Sequence, residues 1–355
     1  MLRRVSGVSP HPPSPPALAA HPGAPPLTAI APEAVLERPA PTIATDPAAD
    51  SADLRHPRLA RCLRLLGWPL LLGGCIGLLA LGMAWGRGPL AFGIAYALLA
   101  LALYRLERFI PHERAWLVDD GQLPADLAHT LVSKSLAYWL VVTGASLGLY
   151  STAPAAETLW PEHWPLWLQV LLGLTVAEFG FYWAHRVSHE WRPLWRFHAV
   201  HHSVRRLWFA NTGRFHLMDT FRSMTFGLPL LFLLQAPEFI FTWVSAITAF
   251  VGLLTHCNVD FRTRALHRVL NTPALHRWHH APNAIEGNTN YGENLTVWDS
   301  LFGTYLDPAD RSPPRVIGIP EFMPRDYLGQ VWMPFRWNAI QARWRAGLID
   351  PRRAL

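Results

Sequence analysis

Five histidines fall within the eighteen positions from His185 to His202. His185 and His189 are four apart, so on a helix their imidazoles share one face a turn apart and can converge on one metal ion. His198, His201 and His202 extend the pattern with spacings of three and four. His276, His279 and His280 repeat that triplet further on, with His256 standing before it. An isolated histidine on an apolar face is ordinarily a hydrogen-bonded core residue, but nine at ligand spacing are not independent accidents. Nine neutral donors exceed what one ion can use, and a zinc takes four protein ligands at most, so two neighbouring metals are the economical reading. Imidazole suits zinc, iron, copper and nickel alike, which leaves the metal open at this point.

The elements that must hold these side chains are apolar. Of the 355 residues, 51% are hydrophobic, and they come in runs. Residues 1–56 carry twelve prolines without apolar periodicity, too little to offset ordering entropy, and are expected to be a disordered tail. No charged n-region with an h-region and cleavage site is visible there, so a secretory signal is not expected. Spans are expected over Leu65–Trp85, Leu90–Tyr104 with flanking residues, Leu131–Tyr150 and Trp164–Trp183. Arg55, Arg58, Arg61 and Arg64 precede the first and Arg105 and Arg108 follow the second, which puts both ends of this hairpin in the cytoplasm. Residues 57–130 are thus read as a transmembrane hairpin with a polar connection, in which His112 and His129 are expected at the surface. Met224–Thr255 is broken by Gln235, Ala236 and Pro237 and is expected to be a hairpin, re-entrant or spanning, that returns His256 to the histidine side. Residues 311–355 are amphipathic, rich in arginine and tryptophan, and are expected along the headgroups.

The net charge of +6 does not come with a basic stripe interleaved with aromatics, so no nucleic-acid partner is expected. Cys62, Cys75 and Cys257 are scattered and indicate neither a disulfide framework nor a thiolate site. Lys134 is the single lysine against thirty arginines, a bias read here as coding composition rather than chemistry.

Location narrows the chemistry. A site at the mouth of a helical bundle in lipid suits an oxidase attacking an unactivated C–H bond, because its substrate dissolves there and water must be kept out. A membrane metal carrier or sensor would also gather histidines, though along a path through the spans rather than at one end. A zinc-dependent lipid hydrolase lacks an accompanying serine or cysteine nucleophile arrangement.

The chain resembles the fatty acid hydroxylase and sterol desaturase superfamily of integral membrane, histidine-rich di-iron enzymes. The residues that carry the resemblance are Tyr182-Trp183-Ala184-His185-Arg186 with His189, Phe197-His198 with His201-His202, and His256-Cys257-Asn258. Leu275-His276 with His279-His280, Asn290-Tyr291-Gly292 and Trp298-Asp299-Ser300-Leu301-Phe302-Gly303-Thr304 complete them. The resemblance covers about 131–305, and a catalytic domain is expected over 131–310. It implies an all-α integral membrane bundle of about four spans plus the hairpin, with a cytoplasmic histidine-rich helical cap. It further implies two irons held by His185, His189, His198, His201, His202, His256, His276, His279 and His280, with zinc able to substitute in purified material. His216 is a further candidate, as tenth ligand or as a residue supporting one. Glu178 stands where many relatives have an aspartate, and either orients a ligand or makes a helix–helix hydrogen bond. Asp260 stands where some relatives have a histidine, and either ligates or lies at the surface; His267 matches no motif and is expected to be exposed. The glycines of the Asn-Tyr-Gly and Trp-Asp stretches suit turns that pack around the third cluster, and Trp298 and Phe302 alternatively wall a substrate channel.

The implied activity is oxygen-dependent hydroxylation of a membrane lipid, fatty acyl, sterol or related, with O2 as co-substrate and desaturation at the same site as the alternative. No iron–sulfur cysteine cluster or dinucleotide fingerprint is present, so an external electron donor (ferredoxin, cytochrome or reductase) is expected. The expected location is a bacterial inner membrane, multi-pass, with the site and both termini on the cytoplasmic side.

Overall fold

The computed structural model describes residues 56–144 and 159–355. The expected disordered tail, the far end of the Leu131–Tyr150 span and most of the loop after it lie outside the described residues. The described part is helical, with isolated bridges and no strand. Four helices are long and apolar enough to cross a membrane: α1 (Pro57–Ala84), α2 (Gly88–Phe109), α5 (Leu166–Glu190) and α9 (Glu238–His256).

Helices α1 and α2 form a hairpin because each carries a narrow buried stripe on an otherwise lipid-compatible surface. Trp68, Leu72, Cys75 and Leu79 of α1 face Ala91, Ala95, Leu99 and Leu103 of α2, at spacings of three and four. Small residues let the backbones approach, as Gly82 does against Ala91. Outward leucines such as Leu70, Leu90 and Leu98 stay exposed, as a lipid-facing side requires.

The chain then runs through α3 (Leu123–Ala128) and a π-helical turn, His129–Lys134, into α4 (Ser135–Gly144). His129 is not at the surface: it is fully buried, with Nδ1 3.0 Å from the Phe215 carbonyl and Nε2 3.0 Å from Gln330 Oε1. His112 is half-buried against Trp116. His267 is buried as well, held between Asp307 at 3.0 Å and Thr263 at 3.2 Å.

Helices α5 and α6 (Arg192–His202) are separated by the single extended residue Trp191. The return path to α9 runs through two short helices, α7 (Leu217–Gly227) and α8 (Pro229–Leu233), and a turn in which Gln235 takes positive φ. Of the expected Met224–Thr255 hairpin, only the second arm is long enough to span. A close crossing locks α7 to α5: a Cβ on Gly180 would run into the Phe226 carbonyl, and one on Gly227 into the Phe181 ring.

The C-terminal ends of α5 and α9 both deliver histidines to one place, so the two helices are parallel. The α1–α2 hairpin meets them at that same level. Arg64 pairs with Asp260 at 2.7 Å, and Glu107 near the end of α2 accepts from the Asn258 amide at 3.0 Å and the Phe209 amide at 2.8 Å. Beyond α9 come α10 (Pro273–His279), α11 (Ala284–Gly287) and α12 (Val297–Phe302). The last segments, α13 (Tyr327–Trp332) and α14 (Trp337–Arg345), do more than lie along a surface: Met333 and Trp337 pack with Ala199 and Val200 on the back of α6.

Candidate metal centre

The nine expected histidines come together as two adjoining sets. His185, His189, His198, His202 and His279 form one, and His201, His256, His276 and His280 the other; within each set the ligand atoms lie within 4.8 Å of one another. The repeated triplet explains the division. In α6, His198 and His202 share a face towards the first set, and His201 turns to the second. In the α10 region the roles reverse: His276 and His280 serve the second set and His279 the first. Each triplet therefore bridges the two sets, whose rings meet at His202–His280 (centroids 4.3 Å) and His198–His201 (5.3 Å).

The outer nitrogens fix which way the imidazoles point. His185 Nδ1 donates to the Tyr291 carbonyl at 2.7 Å and His279 Nδ1 to the Thr289 carbonyl at 2.8 Å. His198 Nδ1 donates to Asp219 Oδ2 at 2.9 Å, His256 Nδ1 to Asn211 Oδ1 at 3.1 Å, and His189 Nδ1 to Asn288 Oδ1 at 3.1 Å. Carbonyl and carboxylate oxygens only accept, so these Nδ1 atoms carry the protons and their Nε2 atoms are bare. Yet His185 Nε2 lies 3.0 Å from His198 Nε2, and His276 Nε2 lies 2.8 Å from His256 Nε2. His189 and His279 Nε2 are buried with no hydrogen-bond partner. In the His185–His198 pair both Nδ1 protons are held outward, and two bare lone pairs face to face repel unless a cation sits between them.

The spacing fits such a cation. Metal–nitrogen bonds of roughly 2.0–2.1 Å put cis nitrogens of an octahedron about 2.9 Å apart and those of a tetrahedron about 3.3 Å apart. The observed Nε2 contacts run from 2.8 to 3.1 Å, and five donors in one set exceed a tetrahedral zinc's complement. Burial, then neighbouring imidazoles, hold His198, His201, His202, His276 and His280 well below the ordinary imidazole range. Burial brings His279 down to about 4 against its bond to Thr289. All are therefore neutral donors near pH 7.

Three further candidates are engaged elsewhere. His216 Nδ1 caps α7 by accepting from the Met218 amide at 3.0 Å, and its Nε2 meets the Val331 carbonyl at 3.1 Å. Glu178 accepts from the Asn294 amide at 2.9 Å and from Asn294 Nδ2 at 2.7 Å, so its partner is a loop residue rather than a second helix. Asp260 pairs with Arg64 at the α1 end. Trp298 and Phe302 pack against Phe179 rather than the cavity.

The functional residues that spacing did not single out are those gripping Nδ1. Asp219 is buried, and Arg222 pairs with its other oxygen. Asn211 and Asn288 have no spacing relation to the histidines, so only the fold reveals them. Asp299 stands out within its motif, but its role emerges only in the structure. Its two oxygens accept from the Tyr291 and Gly292 amides, each at 2.8 Å, and hold the turn whose carbonyls grip His185 and His279. Asn290 enters that turn with φ 53°.

A cavity of about 280 Å3 opens beside both sets, bordered by His185, His198, His201, His256 and His276 and by apolar side chains of α5, α7 and α9 such as Phe181, Met224 and Val244. Size, apolar lining and bare nitrogens at one wall make it a place for a substrate.

The family model for fatty acid hydroxylase matches residues 170–304, which include all nine histidines. Ornithine lipid hydroxylase OlsE of Rhizobium tropici is 44% identical over 286 residues, covering 78% of this chain and 86% of that protein. Alkylglycerol monooxygenase of Danio rerio is 32% identical over 155 residues, 44% of this chain and 33% of that protein. A probable Delta(7)-sterol 5(6)-desaturase of Neurospora crassa is 31% identical over 173 residues, 47% of this chain and 45% of that protein. No solved structure matches. With a relative so alike over most of both chains, and the histidines gathered as they are, this membrane protein belongs to the fatty acid hydroxylase and sterol desaturase superfamily of oxidoreductases.

Proposed function

We propose that the protein is an oxygen-dependent di-iron hydroxylase of a membrane lipid. The observation that carries this reading is the two adjoining sets of buried histidine nitrogens, within hydrogen-bond distance of one another at Nε2, beside a largely apolar cavity at the end of membrane-spanning helices. Iron in the two sets would supply reductive activation of O2, with one oxygen atom entering a C–H bond and the other leaving as water, using two electrons and two protons from an external donor.

The chain's own residues do the rest. Asp219, Asn211, Asn288 and the Thr289 and Tyr291 carbonyls hold the Nδ1 protons of His198, His256, His189, His279 and His185 outward, so the Nε2 of these five is presented inward at no rearrangement cost. The apolar wall orients the lipid and excludes water from the reacting carbon. The catalytic unit is read as residues 131–310. The cluster face is read as cytoplasmic, supported by Arg58, Arg61, Arg105 and Arg108 at the ends of the α1–α2 hairpin on that side. A bacterial inner membrane is the matching location, and the relative named for ornithine lipid makes amino-acid-headed lipids the first substrates to try.

The test is turnover of host-lipid extract by iron-loaded protein in nanodiscs with a reductant and 18O2. One 18O atom gained by a lipid supports hydroxylation, and loss of two hydrogens without oxygen moves the reading to desaturation. Neither product, or full activity in both His198→Ala and His279→Ala, overturns it.

A further inference from the structure

Lys134 has no part in the metal centre, yet it stands beside it. It ends the π-helical turn before α4, in a segment expected to lie in the membrane, where a lysine is costly to insert and is kept only for a function. Lys134 is exposed and is one of the residues that line the cavity beside the histidines. Among the described residues it makes neither an ion pair nor a hydrogen bond. The charged groups that share this cavity are Asp219, Arg222 and Glu293. Asp219 and Arg222 are paired with each other. Glu293, from the turn after Gly292, is half-buried and accepts one hydrogen bond, from Ser223 Oγ at 3.1 Å. Lys134 and Glu293 attract one another without closing into an ion pair.

An ammonium and a carboxylate held apart in a low-dielectric cavity are costly unless something of opposite charge comes to each. We propose that Lys134 and Glu293 read the two charges of a zwitterionic lipid headgroup, Lys134 taking its anionic group and Glu293 its ammonium. The headgroup, rather than the middle of an acyl chain, then lies beside the metal-facing nitrogens, and the oxidised carbon belongs to the headgroup or is close to it. This rests on the reading of the cavity as the substrate site, and it makes both residues determinants of specificity rather than catalytic residues. A carboxylate and a phosphate would satisfy Lys134 equally, so the test separates them.

The experiment is lipid binding to the purified full chain by native mass spectrometry, metal-free and iron-loaded, with three probes: ornithine lipid (carboxylate and ammonium), phosphatidylethanolamine (phosphate and ammonium) and diacylglycerol. Wild type is expected to prefer one or both zwitterions over diacylglycerol by about tenfold or more, and the stronger of the two names the anion. Lys134→Met and Glu293→Gln should each remove about tenfold of that preference and leave diacylglycerol binding unchanged, while Lys134→Arg keeps most of it. N-acetylation of the preferred lipid should mimic Glu293→Gln and have no further effect on that variant. Equal binding of diacylglycerol by wild type, or an unaltered preference in both Lys134→Met and Glu293→Gln, overturns the proposal. Because binding is read without turnover, charge-dependent preference with no oxygen incorporation would leave this inference standing while the hydroxylase reading falls.

Discussion

Asp219→Asn isolates what a single proton position contributes to the centre. The carboxylate is buried, accepts from His198 Nδ1 at 2.9 Å and is paired with Arg222. The amide has the same shape but no charge, and it can turn its NH2 towards Nδ1. His198 would then carry its proton on Nε2, which lies 3.0 Å from His185 Nε2 and 3.1 Å from His202 Nε2. An N–H placed there removes one ligand and aims a positive dipole at the ion. A buried hydrogen bond to a charged partner is worth about 1.5–3 kcal/mol, and losing an outer partner of a ligating histidine typically weakens metal binding about 10–100-fold. The assay is competitive titration of the metal-free protein with Fe(II), followed by turnover at saturating iron. Weakening in that range is expected, with the second set of histidines still loading. Unchanged affinity and turnover would refute the argument that Nδ1 partners set the tautomers.

Other expectations follow from the same geometry. Gly180→Val should cost a few kcal/mol and lower the detergent Tm, because its Cβ meets the Phe226 backbone and α7 must move, taking Asp219 with it. Glu178→Ala should leave the buried Asn294 amide unpaired, at about 1–3 kcal/mol by thermal unfolding, without changing metal stoichiometry. Asp260→Asn breaks a partly exposed ion pair and should cost no more than about 1 kcal/mol, again with metal content intact. The metal-free protein should lose stability on acidification. The unfolded chain protonates its histidines near ~6.5 while burial holds folded His279 to about 4, so the unfolded state binds more protons in between and falling pH favours it. Unfolding temperatures measured from pH 7 to 4 should therefore fall, and a flat profile would contradict neutral burial.

The gathering of the nine histidines was legible because helical periodicity converts spacing into direction: three- and four-residue intervals are all that the two triplets need to straddle two sets. Three of the four expected spans were legible for a similar reason, since length and apolarity are local properties. The partners of Nδ1 were not. Asn211, Asp219 and Asn288 reach the histidines only through the fold of the segments that carry them, and nothing in their immediate neighbourhood marks them. His129 and His267 misled for the converse reason: each sits in a polar stretch that reads as surface, and each is buried by a distant segment, Gln330 in one case and Asp307 in the other. Lys134 is the sharper case. Composition made it look incidental, and its place at the cavity gives it a role.

The most direct measurement is the metal content of anaerobically iron-loaded, detergent-purified protein by elemental analysis with Mössbauer spectroscopy. Two irons per chain in coupled, nitrogen-rich, six-coordinate-like environments are expected. One tetrahedral zinc, or no stoichiometric metal, would contradict the paired nitrogen sets as a di-iron centre.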